Sequence, residues 1–327
     1  MLNRRTLMAV AMAAMTGFSV MPSLAQSGGY PNKPIRLIVP FAPGGTTDLV
    51  ARTISDPMSK ILGQPVIVDN RAGGGGTIGA MEMMRSAPDG YTLCIATVST
   101  VATNPAVNPK IPYNTLTDYT PIINLAATPS VIAVTRNFPG HDLKSALAEL
   151  RRSPGKYSYS SSGLGGIQHL MMEMFKGSTG TFMTHIPYRG AGPALSDTVA
   201  GQVDMTLDQI PSILPFIKSG KLIPLVLAAP RRLEVLPNVP TFAEAGMPEL
   251  NRMAFYGVLG PKGMPKELIN AINGALVKVL ADPSVKKKIE DTGSLVIGNS
   301  PEAFSKQISE EYRVYKDVVT RRNITID

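Results

Sequence analysis

The sequence predicts an α/β protein of two lobes joined by two short crossovers. Three observations carry the prediction. At 327 residues the chain has length for about two domains of ordinary size. Short β-branched runs alternate with stretches whose apolar residues recur at three- and four-residue spacing, the pattern of largely parallel strands covered by helices. No fixed-period repeat, low-complexity tract or long linker divides the chain, so short segments must join the halves.

Composition narrows the classes further. Hydrophobic residues make up 44% and charged residues 17%, which excludes a disordered or collagen-like chain. The single cysteine, Cys94, sits in an apolar run, so neither an intramolecular disulfide nor a thiolate metal cluster is expected, and Cys94 reads as a small buried hydrophobe. The formal charge of +8 suits an acidic partner, but the basic residues are scattered, aromatics are only 6% and Trp is absent. That leaves no stacking platform beside a basic stripe, and no nucleic-acid partner is expected.

In chain order, residues 1–25 read as an export signal. Arg4 and Arg5 precede an uncharged run over 7–21, and Ser23-Leu24-Ala25 places small residues where a signal peptidase cuts. The run is shorter than the ~20 residues that span a bilayer. Arg4-Arg5 also fits a twin-arginine signal. Either route places the mature chain in the periplasm, without a membrane anchor.

Strands are predicted at 35–41, 66–69, 92–98, 122–126, 131–135, 157–160, 183–186, 203–206, 222–228, 255–259 and 295–297. After the first, Leu49, Val50, Ile54, Met58, Ile61 and Leu62 keep helical spacing, while Pro57 predicts a kink near Thr53. A later helix opens at Pro265 and carries Leu268, Ile272, Leu276 and Val279. The last is capped by Ser300-Pro301 and carries Phe304, Ile308, Tyr312, Tyr315 and Val319 as a stripe, with Arg321 and Arg322 at the dipole's negative end. Crossovers are expected at 125–129 and 247–254. They divide the chain into a discontinuous first lobe, 26–127 plus 251–327, and a second lobe, 128–250.

Two glycine loops stand where chemistry is expected. Phe41-Ala42-Pro43-Gly44-Gly45 ends the first strand and leads into Thr46, Thr47 and Asp48, whose side chains can cap a helix while its first amides stay free. Such a turn suits a carboxylate, and equally suits nothing more than a tight turn. Ser161-Ser162-Gly163-Leu164-Gly165-Gly166 has the same place in the other half, so the pair points to an interlobe cleft. Ser99 and Thr100, at another strand end, offer hydroxyls to the same solute. Arg189, in Tyr188-Arg189-Gly190, can meet a carboxylate or pair with a local acid. Asp208-Gln209, after the strand at 203–206, has a similar place, with capping as its alternative role.

Cofactor and catalytic motifs are weak. Gly74, Gly76 and Gly79 form a GxGxxG, but the acidic residue a dinucleotide site needs on the next strand is missing. The three histidines, His141, His169 and His185, lack metal-like spacing, and no GxSxG, Walker A or HExxH sequence occurs. No metal or cofactor is expected. A secreted enzyme acting on an anionic metabolite would have only His169 and Asp208 as an acid/base pair. A ligand-sensing subunit of a signalling system is a further reading.

Dispersed segments resemble one family. They include Tyr30-Pro31-Asn32-Lys33-Pro34, the loop from Pro40 to Asp48 with Ala51-Arg52, Asn70-Arg71-Ala72-Gly73, Pro88-Asp89-Gly90-Tyr91-Thr92, His169-Leu170, Pro187-Tyr188-Arg189-Gly190, Gly201-Gln202-Val203-Asp204 and Pro240-Thr241-Phe242-Ala243-Glu244-Ala245-Gly246. Together they are similar to the Bug-type solute receptors of tripartite tricarboxylate transporters, from Tyr30 almost to the C-terminus. The resemblance implies a type II periplasmic-binding-protein fold and a non-catalytic monomer that closes on a small carboxylate and delivers it to an inner-membrane permease. It implies that main-chain groups and ordered waters hold the carboxylate at Phe41 to Asp48, with matching positions at Ser161 to Gly166, His169 and Tyr188-Arg189-Gly190. Two departures stand out: Phe255 precedes Tyr256-Gly257 where the family usually has Trp, and Ala42 replaces the usual Pro.

Overall fold

The computed structural model describes residues 29–326, so the expected export signal and its cleavage site lie outside the described residues. The chain runs through β1 (Ile35–Val39), α1 (Thr46–Leu62), β2 (Val66–Asn70), α2 (Thr77–Met84), β3 (Thr92–Thr97), α3 (Asn104–Val107) and β4 (Tyr119–Thr128). It continues as β5 (Ser130–Thr135), α4 (Leu143–Arg152), β6 (Ser158–Ser161), α5 (Ile167–Thr179), β7 (Thr184–Pro187), α6 (Ala191–Val199), β8 (Met205–Gln209), α7 (Ile210–Lys218) and β9 (Leu222–Ala228). It closes with β10 (Ala254–Pro261), α8 (Lys266–Ala281), α9 (Pro283–Glu290), β11 (Leu295–Val296) and α10 (Pro301–Arg322).

These strands form two sheets, in the orders β11-β4-β10-β3-β1-β2 and β7-β6-β8-β5-β9. They are mixed, not largely parallel as the sequence pattern suggests. β1 is parallel to β2 and β3, and β6 to β7 and β8. In contrast, β10 is antiparallel to β3 and β4, and β5 to β8 and β9. The reason is the chain path. β4 leads through Pro129 directly into β5 of the other sheet, and β10 returns after the second sheet is built. A strand arriving from the opposite lobe enters its sheet at the end where the native strands finish, so it must run against them. β1, β3, β6 and β8 therefore end facing the other lobe, and the helix after a strand that ends there starts there too.

Alternation along β5 sorts its side chains onto two cores. Val131 and Ala133 join Ile210, Ile213, Leu227 and Leu236 on one face, while Ile132 and Val134 join the larger cluster on the other. α1 is one helix through Pro57, and Pro265 lies just before α8 as its N-cap instead of in its first turn. Ser300 caps α10 by accepting from the Ala303 amide, and Phe304, Ile308 and Tyr315 are buried from it. Cys94 is buried, and burial pushes its thiol up, as its apolar setting predicts.

Candidate functional site

Four helices begin around one small cavity between the sheets. Gly45, Thr46 and Thr47 at the start of α1, Ile167 of α5, Ala191 of α6 and Gln209 before α7 are among its walls. Phe41, Thr97, Val98, Ser99 and Ser162 add strand ends, and Ala254, Phe255 and Tyr256 add the returning β10. These described walls carry no charged side chain. The cavity has a volume of about 20 Å³, little more than the ~10–15 Å³ one water needs.

The amides divide by whether they are already used. Ile167 N–H donates to Ser99 Oγ at 3.0 Å, from one lobe to the other, and Ile210 N–H goes to the Pro129 carbonyl. The first amides of α1 and α6 have no acceptor within their own helices, because the fourth-residue carbonyl they would need precedes the helix. Those two helix starts also meet. A Cβ on Gly45 would stand 3.0 Å from Ala191 Cβ, and one on Gly192 would run into the Pro43 carbonyl. Each N-terminus carries about half a positive charge, so facing them raises the closed state's energy unless an anion lies between.

A polar network ties the lobes behind this cavity. Thr46 Oγ1 donates to Ser212 Oγ at 3.0 Å, and Ser212 Oγ donates to Asp208 Oδ2 at 2.8 Å. Gln168 Nε2 donates to Asp208 Oδ1 at 2.6 Å, and Gln168 Oε1 accepts from the Ser162 amide. Burial pushes the Asp208 carboxyl up to about 7, against these donors, which favour the anion. Burial also keeps the Tyr256 phenol a neutral donor, pushing it well up beside the Thr46 and Thr47 hydroxyls.

Of the residues singled out from sequence, Phe41, Gly45, Thr46, Thr47, Ser99, Ser162 and Gln209 are cavity walls. The others stand behind or beside them. Ala42 N–H donates to the Arg189 carbonyl at 3.0 Å while the Arg189 side chain is exposed. Gly190 caps α6 without a side chain, and Tyr188 Oη donates to Asp197. Gly44 N–H is taken by Asp48 Oδ2, which also accepts from Arg52. Burial alone would raise Asp48, but Arg52, Asn70 and the Gly44 amide hold its carboxyl below the usual range. Its work is to lock the loop, and Gly45 stands at the cap position that Thr46, Thr47 and Asp48 were expected to fill. Thr100 Oγ1 and the Thr97 backbone bond each other.

His169 and His185 stack with ring centroids 4.1 Å apart, and His185 stacks on Tyr159. His169 Nδ1 accepts from the Gly165 amide, and His185 Nε2 meets Ser161 Oγ at 2.6 Å. Gly166 N–H bonds the Gly163 carbonyl. This column props the second glycine loop from behind. Among the described residues no hydrogen bond joins His169 to Asp208, whose partners are Gln168, Gln209 and Ser212. The run at Gly74 to Gly79 has a packing use, since a Cβ on Gly75 would collide with the Leu164 carbonyl of the opposite lobe.

Ile167, Ala191 and Tyr256 are walls that site reasoning from sequence did not select, whereas Gln209 was paired with Asp208. The first two could have been found as first residues of helices after strands ending at the cleft. Tyr256 carried only a departure from a family pattern beside it.

Residues 50–324 match the family described as "Tripartite tricarboxylate transporter family receptor". The chain belongs to that family. The receptor is 35% identical over 318 residues to a UPF0065 protein from the tcbD-tcbE intergenic region of a Pseudomonas species, covering 97% of this chain and 94% of that one. It is 34% identical over 291 residues to Protein BugT of Bordetella pertussis, covering 89% of each. A solved structure described as a periplasmic transporter superposes with TM-score 0.89 at 51% identity, covering 91% of the receptor and all (100%) of that chain. A Rhodopseudomonas palustris protein with adipate gives TM-score 0.87 at 33% identity, covering 90% and 99%. MatC of Rhodopseudomonas palustris with bound malate gives 0.86 at 33%, covering 89% and 100%. The fold is that of two-lobed periplasmic binding proteins, and among the described residues no helix is long and apolar enough to cross a membrane.

Proposed function

We propose that this receptor, exported after cleavage near Ala25, traps a small di- or tricarboxylate or related organic acid between its lobes in the periplasm. It passes the acid unchanged to an inner-membrane permease. The observation that carries the reading is the meeting of the α1 and α6 N-termini across a cavity whose described walls hold no cation. Amide donors aimed at one point can bind a carboxylate by charge-assisted hydrogen bonds, and the anion offsets the repulsion between facing dipoles. Bound adipate and malate in relatives of the same fold support the ligand class.

A cavity of about 20 Å³ is too small for such an acid, so loading requires the lobes to part about the Pro129 crossover and the segment before β10. The acid favours closure only by touching both lobes, which the α1 and α6 amides allow. The working unit is a monomer of two lobes, 26–127 with 251–327 and 128–250. Purified mature protein should be screened by thermal shift against dicarboxylates, tricarboxylates, aromatic acids and acidic amino acids. An acid at 100 times its Kd adds about 2.7 kcal/mol, a shift of several degrees. A flat response across that panel contradicts the carboxylate assignment, and turnover of a bound acid contradicts the non-catalytic one.

A further inference from the structure

A second pocket, of about 190 Å³, lies further along α1 from the cleft, on the face that Thr46 shares. Leu49, Val50 and Ile54 of α1 and Ile289 of α9 give it an apolar body, and Pro211 of α7 closes it from the second lobe. Its size exceeds the roughly 150 Å³ of a dry cavity that accepts a benzene ring, so it can hold one ring with a substituent. Two polar observations indicate what that substituent is. Thr128, at the end of β4, is 1% exposed and lines the pocket, and its Oγ1 has no hydrogen-bond partner among the described residues. A buried hydroxyl is rarely left so, because the lost hydrogen bonds to water go uncompensated. Lys288 stands at the exposed rim without an ion pair among the described residues, whereas Lys286 and Lys287 beside it pair with Glu290 and Asp291.

We propose that this pocket is a second ligand site, for a small monoanion with an apolar body of single-ring size. The ring lies against Leu49, Ile54, Ile289 and Pro211, an acceptor oxygen takes the Thr128 hydroxyl, and the negative group faces Lys288. The site is separate from the cleft. Its walls include none of the Gly45, Thr46, Thr47 or Ala191 positions that surround the smaller cavity.

The test is a fluorine NMR titration of the full mature protein with 4-fluorobenzoate, with 4-fluorobenzyl alcohol as the uncharged counterpart. The wild type should bind the acid saturably and more tightly than the alcohol. Leu49→Trp, which fills the pocket from a half-exposed wall, should weaken the acid at least tenfold. Lys288→Glu, on the surface, should weaken the acid about threefold and leave the alcohol unchanged, the scale of an exposed ion pair. Thr128→Val keeps the volume and removes the orphan hydroxyl, so it should weaken the acid about fivefold without lowering Tm, a combination a purely structural threonine does not produce. Absence of saturable binding overturns the proposal. So does binding that Leu49→Trp, Lys288→Glu and Thr128→Val all leave unchanged, since the probe then sits elsewhere.

Discussion

Thr46 on α1 and Ser212 on α7 share a hydrogen bond of 3.0 Å that joins helices packed on different sheets. Both side chains are buried, at 1% and 5% exposure. The bond exists only while the lobes are together, so it acts on the closed state without holding either lobe folded. Thr46→Val removes it with little change of shape. Ligand affinity should fall by about fivefold to tenfold, the equivalent of about 1 kcal/mol for one hydrogen bond, while the ligand-free Tm stays near wild type. Titration calorimetry with the best acid of the panel reads the first quantity, and a melt without acid reads the second.

Gly163 faces Gly75 across the cleft with φ +144°, and a Cβ there would lie 3.2 Å from Gly75 Cα. Gly201 also has positive φ, +78°, but nothing lies within 4 Å of its Cβ position. Both substitutions carry backbone strain, of about 1–3 kcal/mol, but only one obstructs closure. Gly163→Ala should therefore cost stability and at least tenfold in affinity, and Gly201→Ala stability alone. Equal affinities in the two variants would mean that Gly163 serves only its turn.

Asp208 and His185 pull the pH dependence of stability in opposite directions. Burial holds the Asp208 carboxyl up at about 7, so the folded state binds its proton more tightly than the unfolded chain does, and this contribution falls as pH rises from about 4 to about 7. Burial, with His169 and Lys176 beside it, pushes His185 down to about 3, so its contribution is lost as pH falls below about 6.5. The two partly cancel in the wild type. Asp208→Asn keeps acceptors for Gln168 and the Gln209 amide, and should unmask the histidine. Measured by urea unfolding, the variant should gain about 2 kcal/mol relative to wild type between pH 5 and pH 8.

The glycine loops were legible as a pair, because the same strand-to-helix turn recurs in each half, at Gly44-Gly45 and at Gly163-Leu164-Gly165-Gly166. Their chemistry was only half legible. Arg189 suggests an ion pair with a carboxylate by residue type, yet its carbonyl takes the Ala42 amide, the residue is exposed, and it is not among the cavity walls. Asp48 and Asp208 look like ligand or cap residues, but they lock the first loop and the network behind the second. Ala191 carries no chemistry of its own, and its place opposite Gly45 depends on which helices converge once two sheets face each other. The direction of β5 and β10 was hidden for a related reason: strand patterning records which face is buried, not which lobe the chain has just left.

A crystal structure of the receptor with whichever acid gives the largest melting shift tests the central idea most directly. The predicted result is a carboxylate within hydrogen-bond distance of main-chain N–H groups at the start of α1 and of α6 together, with Arg189 turned away. A carboxylate held by a cationic side chain, or bound to one lobe with the other swung clear, would contradict it.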